Sequence, residues 1–191
     1  MCTDVFRDPA KALMDAKKRQ SMNRTWLALG EASVLLAIAS ALLAFRAANF
    51  SSFGMQLAAI SALSIFIAVF IFSAILGYIV KIIVTILGGS GKYFEGLTAV
   101  SYAFLPMSAS LLVAAIFALV PQGIMISVIA TAIGFAYGIS ILFRGIKELF
   151  KTDLLTAFVA VFILIAVLLI AASVSFGLTA LMRLSTVIPL G

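Results

Sequence analysis

The sequence predicts an all-α membrane protein, a bundle of five transmembrane helices with its N-terminus in the cytoplasm. Three observations carry this prediction. Apolar residues make up 64% of the 191 residues and charged residues only 10%, whereas soluble domains carry roughly 25% charged residues. The apolar residues fall into five long runs. The basic residues stand at the edges of these runs, where membrane proteins place them.

Residues 1–25 are predicted to be a cytoplasmic or interfacial segment that contains a short amphipathic helix. Asp8 is a candidate N-cap, and Pro9 suits the first helical position. Leu13 and Met14 are expected to rest on the membrane surface, with a solvated cytoplasmic stub as the alternative. Three basic residues of the interfacial helix would contact anionic lipid headgroups: Lys17, Lys18 and Arg19.

The membrane domain is predicted to span residues 26–182, with a short outer tail at residues 183–191. A spanning helix needs about 20 mostly apolar residues, and five runs of the chain are long enough. The loops between them are too short to hold an extramembrane domain. The predicted spans are residues 26–45, 57–80, 97–120, 124–143 and 154–182.

The orientation follows from the lysine and arginine residues, because cytoplasmic loops carry an excess of both. With five spans and a cytoplasmic N-terminus, Arg46 and Arg183 lie outside, and the rest of the 13 basic residues lie inside. Adding or removing one span would spoil this alternation. The expected location is the cell membrane, or an internal membrane in a eukaryotic cell.

The residue inventory argues against catalysis. Histidine is absent and Cys2 is the single cysteine, so the commonest general base and metal ligand are missing. No catalytic triad or paired-carboxylate pattern is present either. We therefore expect no enzyme activity, no cofactor and no metal site. Nucleic-acid binding is not expected, because the basic residues do not form patches with interleaved aromatic residues.

Three residues are candidates for ligand binding within the spans: Glu31, Tyr102 and Pro106. Glu31 is the acid inside a predicted span, and ionisable residues at that depth are functional candidates. It can alternatively have an interfacial or structural role. Pro106 removes an amide from the third span, which kinks a helix. The kink, with the hydroxyl of Tyr102 beside it, would either line a polar cavity or only shape helix packing.

Small residues recur at every fourth position of the fourth span, at Ala130, Gly134 and Gly138. Such a strip lets two helix backbones approach closely in a membrane. The contact would lie within one chain or, alternatively, between two copies of it.

A glycine-rich turn follows the second span, at residues 88–92. It has the lysine of a phosphate-binding loop but lacks the rest of the pattern, since Ile86 stands at the first glycine position. Tyr93 also replaces the Ser or Thr that would hold magnesium. We interpret the turn as a flexible cytoplasmic linker.

Several stretches of the chain resemble the Yip-domain family, named for Ypt-interacting protein. The turn at residues 88–94 is similar to the family's glycine-rich loop, and residues 101–106 are similar to its "Gly-Tyr-x-x-Leu-Pro" pattern, with Ser101 in place of glycine. The run 137–157 resembles its fourth-to-fifth connection. The resemblance covers residues 8–180 and is to the short prokaryotic members.

The resemblance implies five spans and a cytoplasmic N-terminus. Eukaryotic members act in vesicle traffic, bind Rab-type GTPases and associate with one another. The family's "Asp-Leu-Tyr-Gly-Pro" segment is absent from this sequence, so a GTPase partner is not expected. The resemblance implies a non-enzymatic scaffold or adaptor, with membrane lipids, itself or another membrane protein as partners. The alternative is a small carrier or lipid-binding protein with a cavity near Glu31, Tyr102 and Pro106.

Overall fold

The computed structural model describes residues 8–18, 22–48 and 52–187, except the side chains at positions 10, 16–18, 121, 171, 172 and 174–187. Over these residues the chain forms six α-helices and a short 3-10 turn, and no strand. The 3-10 turn is Pro121–Gly123. The helices are α1 (Pro9–Lys18), α2 (Met22–Ala47), α3 (Ser52–Ile86), α4 (Tyr93–Ala118), α5 (Ile124–Leu149) and α6 (Leu154–Val187).

Four of these helices are long and apolar enough to cross a membrane, namely α2, α3, α4 and α5. The described apolar part of α6, Leu154–Ile170, is shorter. The prediction of an all-helical fold is therefore confirmed over the described residues, and four of the helices have the length and apolar character that spanning requires. The helices also run past the predicted spans. In particular, α3 includes Lys81 and ends at Ile86, because a helix continues beyond its apolar part while its backbone hydrogen bonds persist.

Helix α1 begins as the sequence predicts, but it packs differently. Asp8 caps it, since the Lys11 N–H donates to Asp8 Oδ1 at 3.1 Å. Leu13 is 0% exposed and belongs to the hydrophobic core, because α1 packs against α4 and α5. The expectation that Leu13 rests on the membrane surface is wrong, while Met14 is exposed. Three predicted headgroup contacts lie outside the described side chains: Lys17, Lys18 and Arg19.

The C-terminus of α3 is closed by the glycine turn. Gly88 has a positive φ of 84°, a conformation that glycine adopts without a steric penalty. The Gly89 N–H donates to the Val84 carbonyl at 2.9 Å, and the Gly88 N–H donates to the Thr85 carbonyl at 3.1 Å. These two bonds form a Schellman cap. The turn therefore ends α3 at a defined residue.

Helix α4 lies at the centre of the bundle, in contact with α1, α2, α3 and α5. It approaches α3 closely at two glycines. A Cβ atom added to Gly96 would overlap the Gly77 carbonyl oxygen, and one added to Gly77 would lie 2.9 Å from the Leu97 backbone. Absence of side chains lets helix backbones come this close.

The core is concentrated at one end of the bundle. We call this the basic end; it carries α1, the loop at residues 87–92 and the connection at residues 150–153. The fully buried side chains Leu13, Val84, Ile146 and Phe150 pack there. At the opposite end, around the 3-10 turn, the first turns of α5 are largely exposed. The described packing is thus dense at the basic end and sparse at the other.

Candidate interaction site at the basic end

The proline region of α4 is packed inside the bundle. Tyr102 and Pro106 are both buried. The nearby Ser101 hydroxyl donates to the Leu97 carbonyl one turn earlier at 2.8 Å. This hydroxyl is therefore satisfied within its own helix and does not point into a polar cavity.

Glu31 instead borders a groove of about 770 Å³ that runs along α2. Tyr102 and Pro106 do not belong to its described lining. Of the three predicted ligand residues, the described lining of this groove therefore includes Glu31. The described lining comes from a single helix: Asn23, Trp26, Leu27, Gly30, Glu31, Val34 and Leu35.

The small-residue strip of α5 faces α4. A Cβ atom added to Gly134 would overlap the Ser110 side chain. One added to Gly138 would overlap Met107. Ala130, the third member of the strip, is partly buried. The two glycines are thus used for a helix contact within the chain.

The glycine turn after α3 is packed against the connection between α5 and α6. A Cβ atom at Gly91 would overlap the ring of Phe150, which is itself fully buried. A Cβ atom at Gly89 would lie 2.7 Å from Thr152 Cγ2. The interpretation of this turn as a flexible linker therefore does not agree with the structure. The glycines allow two backbone segments to dock closely.

A polar cleft of about 160 Å³ lies between these two segments. The glycine turn forms one wall, and the start of α6 with the preceding connection forms the other. Both segments are noticeable in the sequence, but nothing there predicts that they contact each other. The cleft is lined by Leu87, Gly88, Gly89, Ser90, Lys151, Thr152, Asp153 and Thr156.

Two residues of this cleft stand out, Lys151 by its backbone conformation and Asp153 by a lowered pKa. Lys151 has a positive φ of 53°, which is uncommon for a residue with a side chain. Asp153 stands just before α6 and accepts a hydrogen bond from the Thr156 N–H at 3.3 Å. Hydrogen bonds from the Thr156 side chain and backbone lower the pKa of Asp153. The carboxylate is therefore ionised at neutral pH.

A hydroxyl pair joins α2 to α4 at the same end. Thr25 Oγ1 lies 2.9 Å from Thr98 Oγ1, and both side chains are fully buried. Thr98 donates to the Phe94 carbonyl at 2.7 Å, so Thr25 must be the donor to Thr98. The two residues are 73 positions apart, and no local pattern in the sequence indicates their contact.

One comparison with known proteins gives a match, and it covers most of the chain. The model of the Yip1 domain family matches residues 3–175. No curated protein and no solved structure matches the chain. The match includes the glycine turn and the connection before α6, the two segments that dock against each other.

Proposed function

Because the chain belongs to the Yip1 domain family, we propose that it is a non-enzymatic membrane scaffold or adaptor that recruits partners through its basic end. The observation that supports this is the docking of the loop at residues 87–92 onto the connection at residues 150–153, centred on the fully buried Phe150. A docked pair of loops holds its exposed charges in a fixed arrangement, and preorganisation favours binding. The partner is another membrane protein or a second copy of this chain; a GTPase is not proposed.

The proposal includes five spans and a cytoplasmic basic end in the cell membrane. Two features support it: four apolar helices of spanning length, and the bias of lysine and arginine toward one side. In this arrangement α6 is the fifth span, and it places the tail after residue 182 outside.

Cysteine labelling of intact cells tests this topology. In a Cys2→Ser background, we expect Gln122→Cys and Leu190→Cys to react with a membrane-impermeant maleimide. Ser90→Cys should react only after the membrane is permeabilised, because the basic end faces the cytoplasm. Labelling of Ser90→Cys in intact cells would contradict the orientation. Protection of Leu190→Cys until permeabilisation would contradict the fifth span.

The adaptor role is tested by reversing charge at the basic end. We expect the double variant Lys147→Glu, Lys151→Glu to lower recovery of the partner by about tenfold or more, since like charges now oppose binding. The measurement is quantitative mass spectrometry of proteins cross-linked to the chain in its native membrane. Arg46→Glu, a reversal at the opposite end, is the matched control and should leave recovery unchanged. Equal recovery from all three proteins would contradict the adaptor proposal.

A carrier or small-molecule-binding function has weaker support. The groove along α2 favours it, because Glu31 lies on this groove. Tyr102 and Pro106 are buried within the bundle, however, and are not part of the groove's described lining. We therefore retain the adaptor as the proposed function.

A further inference from the structure

The polar cleft at the basic end presents one positive and one negative charge. Lys151 and Asp153 both line it, and Ser90 adds an exposed hydroxyl. Among the described residues near the cleft, an ion pair forms between Lys147 Nζ and Glu148 Oε1 at 4.0 Å. It involves neither Lys151 nor Asp153. The cleft therefore offers a cation and an anion to a ligand.

Hydrogen bonds within the protein occupy only part of the hydrogen-bonding capacity of the cleft's polar groups. Asp153 accepts hydrogen bonds from the Thr156 N–H and the Thr156 side chain, and the Thr152 hydroxyl donates to the Ile146 carbonyl at 3.4 Å. A carboxylate has two oxygens and roughly four acceptor positions. Asp153 can therefore cap α6 and accept further hydrogen bonds from a ligand at the same time.

The surroundings of the cleft place it at the boundary between lipid and water. Helix α3 ends and helix α6 begins beside it, and both helices are apolar. Ile86 is 78% exposed, Leu154 is 61% exposed and Leu155 is 70% exposed. In a membrane protein these side chains contact acyl chains. A molecule in the cleft is thus placed where lipid headgroups lie.

We propose that this cleft binds the headgroup of a zwitterionic phospholipid that carries a primary ammonium. The phosphate contacts the Lys151 ammonium and the Ser90 hydroxyl, and the lipid ammonium donates to the Asp153 carboxylate. The charges of the cleft favour this class of lipid, because the Asp153 carboxylate would repel a headgroup that carries only negative charge. A trimethylated ammonium has no N–H to donate. The site shares Lys151 with the surface proposed for partner binding, but its lipid preference is measured on the purified protein without a partner, so either proposal can fail alone.

Native mass spectrometry of the full-length protein, delipidated in mild detergent and titrated with single lipids, tests this proposal. We expect phosphatidylethanolamine to bind about tenfold more tightly than phosphatidylcholine or phosphatidylglycerol, which corresponds to about 1.4 kcal/mol. Glycerophosphoethanolamine, the same headgroup without acyl chains, should bind more weakly than the intact lipid. Equal binding of the three phospholipids would overturn the proposal. Tighter binding of the soluble compound would overturn the membrane source.

Variants assign the binding to the cleft. Lys151→Gln should lose the tight binding of phosphatidylethanolamine, whereas Arg144→Gln, an equal charge loss at the same end, should retain it. Lys151→Gly removes the ammonium with a residue that suits the positive φ, so backbone strain does not explain its loss of binding; an unchanged unfolding temperature is the check on its folding. Asp153→Asn keeps a capping side chain and should bind phosphatidylglycerol at least as well as phosphatidylethanolamine. Unchanged lipid preference in Asp153→Asn, or equal losses in Lys151→Gln and Arg144→Gln, would overturn the assignment.

Discussion

Replacing Gly96 by alanine is expected to lower the free energy of unfolding by about 2–3 kcal/mol, the upper range for overpacking. The new Cβ atom would overlap the carbonyl oxygen of Gly77 on α3. Because this neighbour is backbone, a rotamer change cannot relieve the overlap, and α3 and α4 must move apart. The measurement is thermal and denaturant-induced unfolding of the purified protein in one detergent.

Gly30→Ala is the matched control for Gly96→Ala. Gly30 is also inside a helix, but apart from its chain neighbours and the nearby backbone of its own helix, no described atom lies within 4 Å of the position that its Cβ would occupy. Alanine there should stabilise the protein by about 1 kcal/mol, because it restricts the unfolded chain and favours the helix. If the two substitutions change stability equally, the close contact at Gly96 does not determine the packing of α3 on α4.

Replacing Phe150 by alanine is expected to cost about 3–5 kcal/mol, the usual range for a fully buried aromatic residue. Phe150 is 0% exposed and fills the space beside Gly91, so its loss leaves a cavity under the glycine turn. The turn should then undock, and Lys92, which is exposed, should become a site of rapid cleavage by trypsin. Unfolding temperature and the rate of this cleavage are the two measurements.

Phe158→Ala provides the comparison for Phe150→Ala. Phe158 is 62% exposed on α6, where lipid or detergent can fill the vacated space. The substitution should change stability by less than about 1 kcal/mol and leave the cleavage rate at Lys92 unchanged. Rapid cleavage in both variants, or in neither, would contradict the role assigned to Phe150.

The sequence predicted well those features that depend on local patterns. The apolar runs predicted the helices, and Asp8 with Pro9 predicted the start of α1. Both signals are local, because hydrophobic periodicity and capping act over a few residues. The helix ends were less accurate. Helix α3 continues through Lys81 to Ile86, since backbone hydrogen bonding does not stop where hydropathy falls.

Features that depend on distant contacts were not predictable in the same way. Leu13 looked like a membrane-facing residue because nothing in the sequence shows that α4 and α5 cover it. The glycine turn looked flexible because the partner of Gly91, Phe150, lies far along the chain. The burial of Tyr102 and Pro106 is likewise set by neighbouring helices, and it favours the helix-packing alternative over a polar cavity beside Pro106. Each of these depends on tertiary packing, which overrides local preference.

The docking of the glycine turn onto the connection before α6 also constrains the order of assembly during synthesis. Gly91 leaves the ribosome before Phe150 and Thr152, and a chain grows from its N-terminus at about 5–20 residues per second. Phe150 follows Gly91 by 150 − 91 = 59 residues, so at this rate the turn exists for about 3–12 seconds before the residue that it docks onto has been synthesised. The basic end can reach its final form only once α5 has been synthesised, which makes its completion a late event in biogenesis.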